Sequence, residues 1–339
     1  MKTHVTSSPI PDGNSGGRIT RHRALPTSSL GDKHREAFRQ AMVNVLSTDI
    51  AVTTFAEIIH GLPLFDTAND TYYRIYWPSQ PLVRESRRLS TYVLEKARRL
   101  ANFDTRELLN TYQITAPGSK AFQTRLVELT AVTVHQLAVS LFKSGPCRSK
   151  EGELGGWRMP QEVLDTYGDH LPTAFVHMWY LDFDQYPEGV ADAVGYWAES
   201  RIFGGVVLFD RRKIGPKGKG GPDAIYLHAD RRDVMYRIYK LLDRQRQQLV
   251  QFLLAKGTPS QEECPIPVLG DINNRQRVDP EEPLEETGIY RDLWERRPRQ
   301  YADCRTKDVV DIFNYLSVED WEEAHSRGYD LLDIDMRRC

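Results

Sequence analysis

The segment from Thr173 to Arg212 constrains the fold of this 339-residue chain more than any other. It begins with TAFVHMWYLDF, an apolar run of strand length, and continues into an acidic turn, DQYPEG. Next come VADAVGYWAESRIFGG, with apolar residues at helical spacing, and the β-branched run VVLFD. This order predicts a strand–helix–strand unit at about 173–210. The acidic turn inside it is a common position for a functional site, because strand ends are rigid and loops are exposed.

Helical patterns dominate the N-terminal half of the chain. Apolar side chains four apart predict a helix over His34–Leu46, and further helices are predicted over Leu82–Leu100 and Ala121–Phe142. In the C-terminal half, VVLFD and AIYLH predict a hairpin with a long tip, and Arg232–Lys256 predicts an amphipathic helix. The chain is therefore predicted to have a mixed α/β (or α+β) fold, in which a helix-rich N-terminal half packs on a small sheet.

Composition and charge set limits on the class of protein. Residues 1–30 are polar and glycine-rich and predict a disordered tail, whereas 31–339 predicts one globular domain with an irregular segment at about 257–305. The net charge of −2 excludes an overall basic field, and the four cysteines lack zinc-binding spacing. No signal peptide pattern is present, and the apolar run Thr130–Phe142 is too short to span a bilayer. We therefore predict a cytoplasmic protein without a membrane partner.

Acidic side chains cluster around the predicted helix start at Pro187. At 100° per residue, the carboxylates at 188, 192 and 199 fall within about 40° of each other on one helix face. Such a set binds a guanidinium, holds a divalent cation, or supplies an acid/base pair. The alternative is that they cap the helix, meet its dipole or face solvent. The five carboxylates predicted to converge belong to Asp182, Asp184, Glu188, Asp192 and Glu199.

A glycine-rich basic loop follows the second predicted strand of the unit. Its flexibility and charge are suited to a phosphate backbone, and the basic helix at Leu82–Leu100 would extend the patch. The alternative is a solvated surface loop. The residues predicted to contact nucleic acid are Arg211, Arg212, Lys213, Lys217 and Lys219.

Aromatic side chains flank the acidic turn on both sides. Aromatic residues at such spacings are typical of a core, although some of them would line a pocket beside the carboxylates and stack on a planar group. Tyr186 lies within the acidic turn itself. The set comprises Tyr72, Tyr73, Tyr76, Trp77, Trp179, Tyr180, Tyr186, Tyr196 and Trp197.

A third candidate site is the sequence His228-Ala229-Asp230 at the end of a predicted strand. A His-x-Asp pair with a distant histidine, here His325, is the ligand pattern of Fe(II) oxygenases, and Arg327 would bind a 2-oxoglutarate carboxylate. The alternative is a strand-end histidine followed by an aspartate that caps the next helix.

The run from Tyr180 to Arg211 resembles proteins of filamentous fungi that are found near small-molecule biosynthesis genes, and the arginine-containing cyclodipeptide synthases. That family has an Asp-Asp-x-x-Glu motif, which Asp184 and Glu188 match while Gln185 replaces the second aspartate. The resemblance implies an enzyme that joins arginine from arginyl-tRNA to a second aminoacyl group and releases a diketopiperazine.

The resemblance also implies roles for the residues of the acidic turn. Asp184 and Glu188 would be catalytic, and no metal or cofactor would be required. Two other hypotheses stay open, namely the Fe(II)/2-oxoglutarate-type oxygenase and a non-catalytic adaptor that binds RNA or a partner protein. The residues that would bind substrate are Asp182, Asp192, Glu199 and Tyr186.

Overall fold

A computed structural model describes ten stretches of the chain, which cover most of the predicted elements. The described residues are 31–71, 88–99, 110–144, 172–212, 221–231, 234, 237–257, 264–271, 273–280 and 282–297. Several predictions fall outside them, including the disordered tail. The residues concerned are 1–30, Tyr72, Tyr73, Tyr76, Trp77, Lys213, Lys217, Lys219, His325 and Arg327.

The described residues form a mixed α/β fold, as predicted. Its helices are α1 (Asp32–Leu46), α2 (Asp49–His60), α3 (Phe65–Asn69), α4 (Thr91–Arg98), α5 (Asn110–Gln113), α6 (Lys120–Ser144), α7 (Val190–Phe203), α8 (Asp243–Leu254) and α9 (Leu284–Thr287). Its strands are β1 (Val206–Asp210), β2 (Ile225–His228), β3 (Ile238–Lys240), β4 (Arg277–Val278) and β5 (Ile289–Tyr290).

The strands form one small antiparallel sheet in the order β4-β3-β2-β1-β5. The predicted hairpin is confirmed, because β1 pairs with β2 from Val206 opposite His228 to Phe209 opposite Ile225. Both faces of β1 are buried. Val207 and Phe209 pack into the large helical core, whereas Val206 and Leu208 pack into a smaller aromatic core on the other face.

The helix α7 lies at the centre of the protein, packed along α6. Every residue from Ala191 to Phe203 is buried, so no face of this helix is exposed to solvent. The helix ends at Gly204, which has φ +97. A Cβ there would lie 2.2 Å from the Val268 carbonyl oxygen, so this close turn requires glycine.

Three sequence-based element boundaries are corrected. Residues 173–180 are mostly buried but form no strand, because their apolar side chains pack into the core while their backbone does not pair with a neighbouring strand. The helix begins at Val190 and not at Pro187, since Gly189 has φ +60 and interrupts the helical backbone. The predicted Arg232–Lys256 helix divides into β3 and α8, because Ile238 and Tyr239 pair with β2 and β4.

The predictions for α1 and α6 are confirmed, while only Thr91–Arg98 is helical among the described residues of Leu82–Leu100. By length and composition α6 is able to cross a membrane, and so are α1 and α2 taken as one bent pair. In α6, however, 61% of the most apolar 18-residue stretch is buried inside the protein, as is typical of a core helix.

Candidate active site

A buried histidine connects two of the predicted carboxylates. His135 on α6 places Nδ1 2.9 Å from Glu199 Oε1 and Nε2 3.1 Å from Asp192 Oδ1. Both ring nitrogens face carboxylate oxygens, so both are placed to donate when the ring is protonated as an imidazolium. Burial alone lowers the pKa of His135, but the hydrogen bonds to Asp192 and Glu199 outweigh it and raise that pKa above its usual value.

The ring of His135 fits against α7 because position 195 is glycine. A Cβ on Gly195 would lie 2.5 Å from Nε2 of His135, closer than any two such atoms approach in proteins. The adjacent Tyr196 meets the same ring edge-on, with the ring centroids 4.6 Å apart. Gly195 therefore lets the imidazolium lie directly between the two carboxylates.

Arg291 completes the charge balance around Glu199. Its Nη1 lies 2.7 Å from both Glu199 carboxylate oxygens, and its Nε donates to Asp292 at 3.0 Å. Burial raises the pKa of Glu199, but the charges of Arg291 and His135 outweigh it and hold that pKa below the usual value. Glu199 is fully buried as a carboxylate, and its charge is offset by two cations.

The same network reaches the protein surface at Glu188. Asp192 Oδ2 accepts a hydrogen bond from the Glu188 backbone N–H at 2.7 Å. The carboxylate of Glu188 is one-third exposed and pairs with Lys143, in the last turn of α6. A continuous chain of hydrogen bonds thus connects the interior at Arg291 to the backbone that carries Glu188.

The remaining carboxylates, Asp182 and Asp184, precede Glu188 in the same turn of the chain and are half-exposed and exposed, respectively. Asp182 accepts a hydrogen bond from the Arg297 backbone N–H at 2.9 Å, and the guanidinium of Arg297 pairs with Asp184. The hydrogen bond from Arg297 lowers the pKa of Asp184, which is therefore ionised at neutral pH. Asp182, Asp184 and Glu188 are called the acidic rim below.

Tyr186 is buried beneath the acidic rim and supports it. Its hydroxyl donates to the Glu295 carbonyl oxygen at 2.9 Å and accepts from the Asp182 N–H at 3.2 Å. Burial raises the pKa of this hydroxyl far above its usual value, so Tyr186 acts as a neutral hydrogen-bonding group. It connects the turn before α7 to the segment that carries Arg297.

The five predicted carboxylates thus divide into two groups. Asp192 and Glu199 bind His135 in the interior, whereas the three of the acidic rim are accessible to solvent. Sequence reasoning did not identify His135, Arg291 or Arg297 as members of this network. His135 is 57 and 64 residues from its two partners, so no local spacing indicates the contact.

Two residues of the predicted basic loop are described, and each forms an ion pair with a carboxylate of this chain. Arg211 binds Glu128 at 2.6 Å, and Arg212 binds Asp210 through Nε and Nη2 at 2.9 and 2.7 Å. Asp210 also accepts from the backbone N–H groups of Arg212 and Gly221. This carboxylate therefore connects Arg212 to Gly221.

The oxygenase hypothesis finds no support among the described residues. His228 is buried, its Nδ1 lies 3.2 Å from the Tyr180 hydroxyl, and its ring packs against His177. Within the described stretches, no three His, Cys, Asp or Glu side chains are grouped so that they could hold a metal ion. The proposed distal ligand His325 lies outside those stretches.

Comparison with known proteins leaves the family open. No protein-family model, no curated protein and no solved structure matches this chain.

Proposed function

We propose that this protein is a tRNA-dependent cyclodipeptide synthase that uses an arginyl group and a second aminoacyl group. The observation that carries the proposal is the acidic rim, where accessible carboxylates already hold a guanidinium, that of Arg297. A substrate arginyl side chain presents the same group. Because the Arg297–Asp184 pair is largely exposed, a second guanidinium exchanges with it at little cost.

The reaction requires two acyl transfers. The amine of one aminoacyl ester attacks the carbonyl of the other, an amide bond forms, and the tRNA ribose oxygen leaves with a proton. A second attack by the remaining amine on the remaining ester closes the diketopiperazine ring. The enzyme has to bring both esters together and to accept the proton of the attacking amine.

The residues of the acidic rim suit two different roles in this scheme. Asp184, whose pKa is held low by Arg297, suits the anchoring of a guanidinium. Glu188 is the proposed base, because Asp192 fixes its backbone while its carboxylate stays accessible. Asp182, Asp192, Glu199 and Tyr186 then shape the substrate site rather than react. The phosphates of tRNA are assigned to the basic loop, which includes Lys213, Lys217 and Lys219.

The test is expression in a heterologous host, followed by mass spectrometry of the medium. We expect a new arginine-containing diketopiperazine, which Glu188→Gln abolishes without changing the urea unfolding midpoint. Glu285→Gln is the matched control, because Glu285 is an exposed glutamate on α9 outside the acidic rim. Asp184→Asn is expected to raise KM for arginyl-tRNA more than it lowers kcat. Soluble protein that makes no such product contradicts the proposal.

A non-catalytic binding protein is the second candidate. It is favoured by the finding that each carboxylate of the acidic rim has a partner within the chain. For an adaptor of this kind, charge reversal at Lys217 and Lys219 abolishes RNA binding while Glu188→Gln has no effect on it. The same two sets of variants, assayed for product and for RNA binding, thus separate the two candidates.

A further inference from the structure

Two buried arginines meet one aspartate at the opposite end of α7. Arg201 Nη1 and Arg231 Nη1 lie 2.8 and 2.6 Å from the same oxygen of Asp70, Oδ2. Arg231 Nη2 also donates to the Arg201 carbonyl oxygen at 2.8 Å. Asp70 follows α3, Arg201 lies in the last turn of α7, and Arg231 follows β2, so three separate parts of the chain converge. These three residues are called the Asp70 cluster.

The Asp70 cluster carries more positive than negative charge. Two guanidiniums face one carboxylate, and both arginine side chains are at least nine-tenths buried. The Nε of Arg231 is buried, and it has no hydrogen-bond partner within the part of the chain that the structure describes. Burial, followed by the charge of Arg201, lowers the pKa of Arg231 to about 10, against the opposing effect of Asp70.

Glu57 is a second acidic group whose charge acts on Arg201 of the Asp70 cluster. It is buried on α2, and burial raises its pKa to about 7, against the effect of hydrogen bonds and of Arg201. At neutral pH a large fraction of Glu57 is therefore protonated. A buried guanidinium with an unused donor and excess positive charge is the arrangement that binds an oxyanion.

We propose that Arg201 and Arg231 form a binding site for a phosphate group, and that Asp70 occupies this site until a phosphate displaces it. Asp70 suits this role because its side chain is 36% exposed, while both arginines are held in the interior. The side chain of Asp70 is able to turn outward without moving α7. The phosphate oxygens then take up the donors that Asp70 releases, together with Nε of Arg231.

The site does not depend on the proposed synthase activity, and it is tested by binding alone. The full-length protein is titrated with inorganic phosphate at constant ionic strength, and the urea unfolding midpoint reports binding. We expect phosphate to stabilise the natural chain and Asp70→Asn to bind phosphate about tenfold more tightly, because a repelling carboxylate is removed. This increase in affinity on loss of a native ion pair is specific to the proposal.

Asp271→Asn is the matched control, because Asp271 pairs with a single exposed arginine, Arg244. We expect this variant to bind phosphate as the natural chain does. Arg231→Lys retains the charge but loses the fork of donors, and we expect it to weaken phosphate binding at least about fivefold. If Asp70→Asn is too unstable to measure, the comparison of Arg231→Lys with the natural chain decides the matter.

The source of the phosphate group is decided by a second ligand. If a short single-stranded RNA competes with inorganic phosphate and Arg231→Lys weakens both, the site takes a backbone phosphate. If phosphate binds and RNA does not compete, the site takes a free phosphate ester. The proposal is overturned if phosphate fails to stabilise the natural chain, or if Asp70→Asn and Asp271→Asn bind it equally.

Discussion

Glu57→Gln is predicted to change the pH dependence of stability in a calculable way. Glu57 is buried, and its Oε1 accepts hydrogen bonds from the Leu64 N–H at 2.9 Å and the Thr67 hydroxyl at 2.6 Å. A glutamine oxygen is able to accept both bonds. Burial raises the pKa of Glu57 from 4.5 to about 7, so the folded protein resists ionisation that the unfolded chain allows.

The magnitude follows from the difference between the two pKa values. At pH 4 the carboxyl is mostly protonated in both states, so it has almost no effect on the free energy of unfolding. As the pH rises above 4.5, only the unfolded state ionises, and the folded state loses relative stability until the pH passes about 7. At about 1.4 kcal/mol per pKa unit, the loss between pH 4 and pH 8 is roughly 3 kcal/mol.

The assay is urea unfolding of the natural chain and of Glu57→Gln at pH 4 and pH 8. The glutamine cannot ionise, so the difference in free energy of unfolding is expected to shift by roughly 3 kcal/mol in favour of the variant over this range. Glu285→Gln is the control, because Glu285 is an exposed glutamate on α9. An unchanged difference between natural chain and variant at the two pH values would refute the reasoning.

Three further predictions concern the network around α7. His135→Ala leaves two buried carboxylates without their shared cation, and we expect a loss of about 3–5 kcal/mol in urea unfolding at pH 6. The pKa of His135 is higher in the folded protein than the unfolded value of 6.5. The stabilisation by the protonated ring is therefore complete below pH 6.5 and is lost as the pH rises through the folded-state pKa. The free energies of unfolding of the natural chain and the variant should converge at alkaline pH. Gly195→Ala forces the imidazole aside, and we expect calorimetry to show a loss of about 1–3 kcal/mol, whereas an unchanged Tm would contradict the contact. Arg297→Ala removes only an exposed ion pair with Asp184, so its unfolding midpoint should equal that of the natural chain.

Local patterns predicted the elements that depend on nearby residues. The hairpin of β1 and β2 follows from two β-branched runs, and α6 from a long apolar stretch with helical spacing. The five acidic residues predicted to converge instead divide into a buried pair that binds His135 and a set of three that pairs with Lys143 and Arg297. The prediction of a strand over residues 173–180 was wrong. An apolar run indicates that the segment is buried, but it does not show that a neighbouring strand is present to form backbone hydrogen bonds with it.

The contacts within the candidate site depend on residues that are distant in sequence. Glu199 binds Arg291, 92 residues away, and His135, 64 residues away. Asp192 and Glu199 lie on α7 and are buried, because both α6 and the sheet cover this helix. Helical periodicity shows which residues share a face, but it does not show whether that face meets solvent or another charged group.

The complete burial of α7 explains why its charged residues form ordered networks at both ends. A charge inside the core requires a partner, so Asp192 and Glu199 recruit His135 and Arg291, while Arg201 recruits Asp70. The helix has 14 residues and is therefore about 21 Å long. Its first turn supports the acidic rim, and its last turn supports the Asp70 cluster.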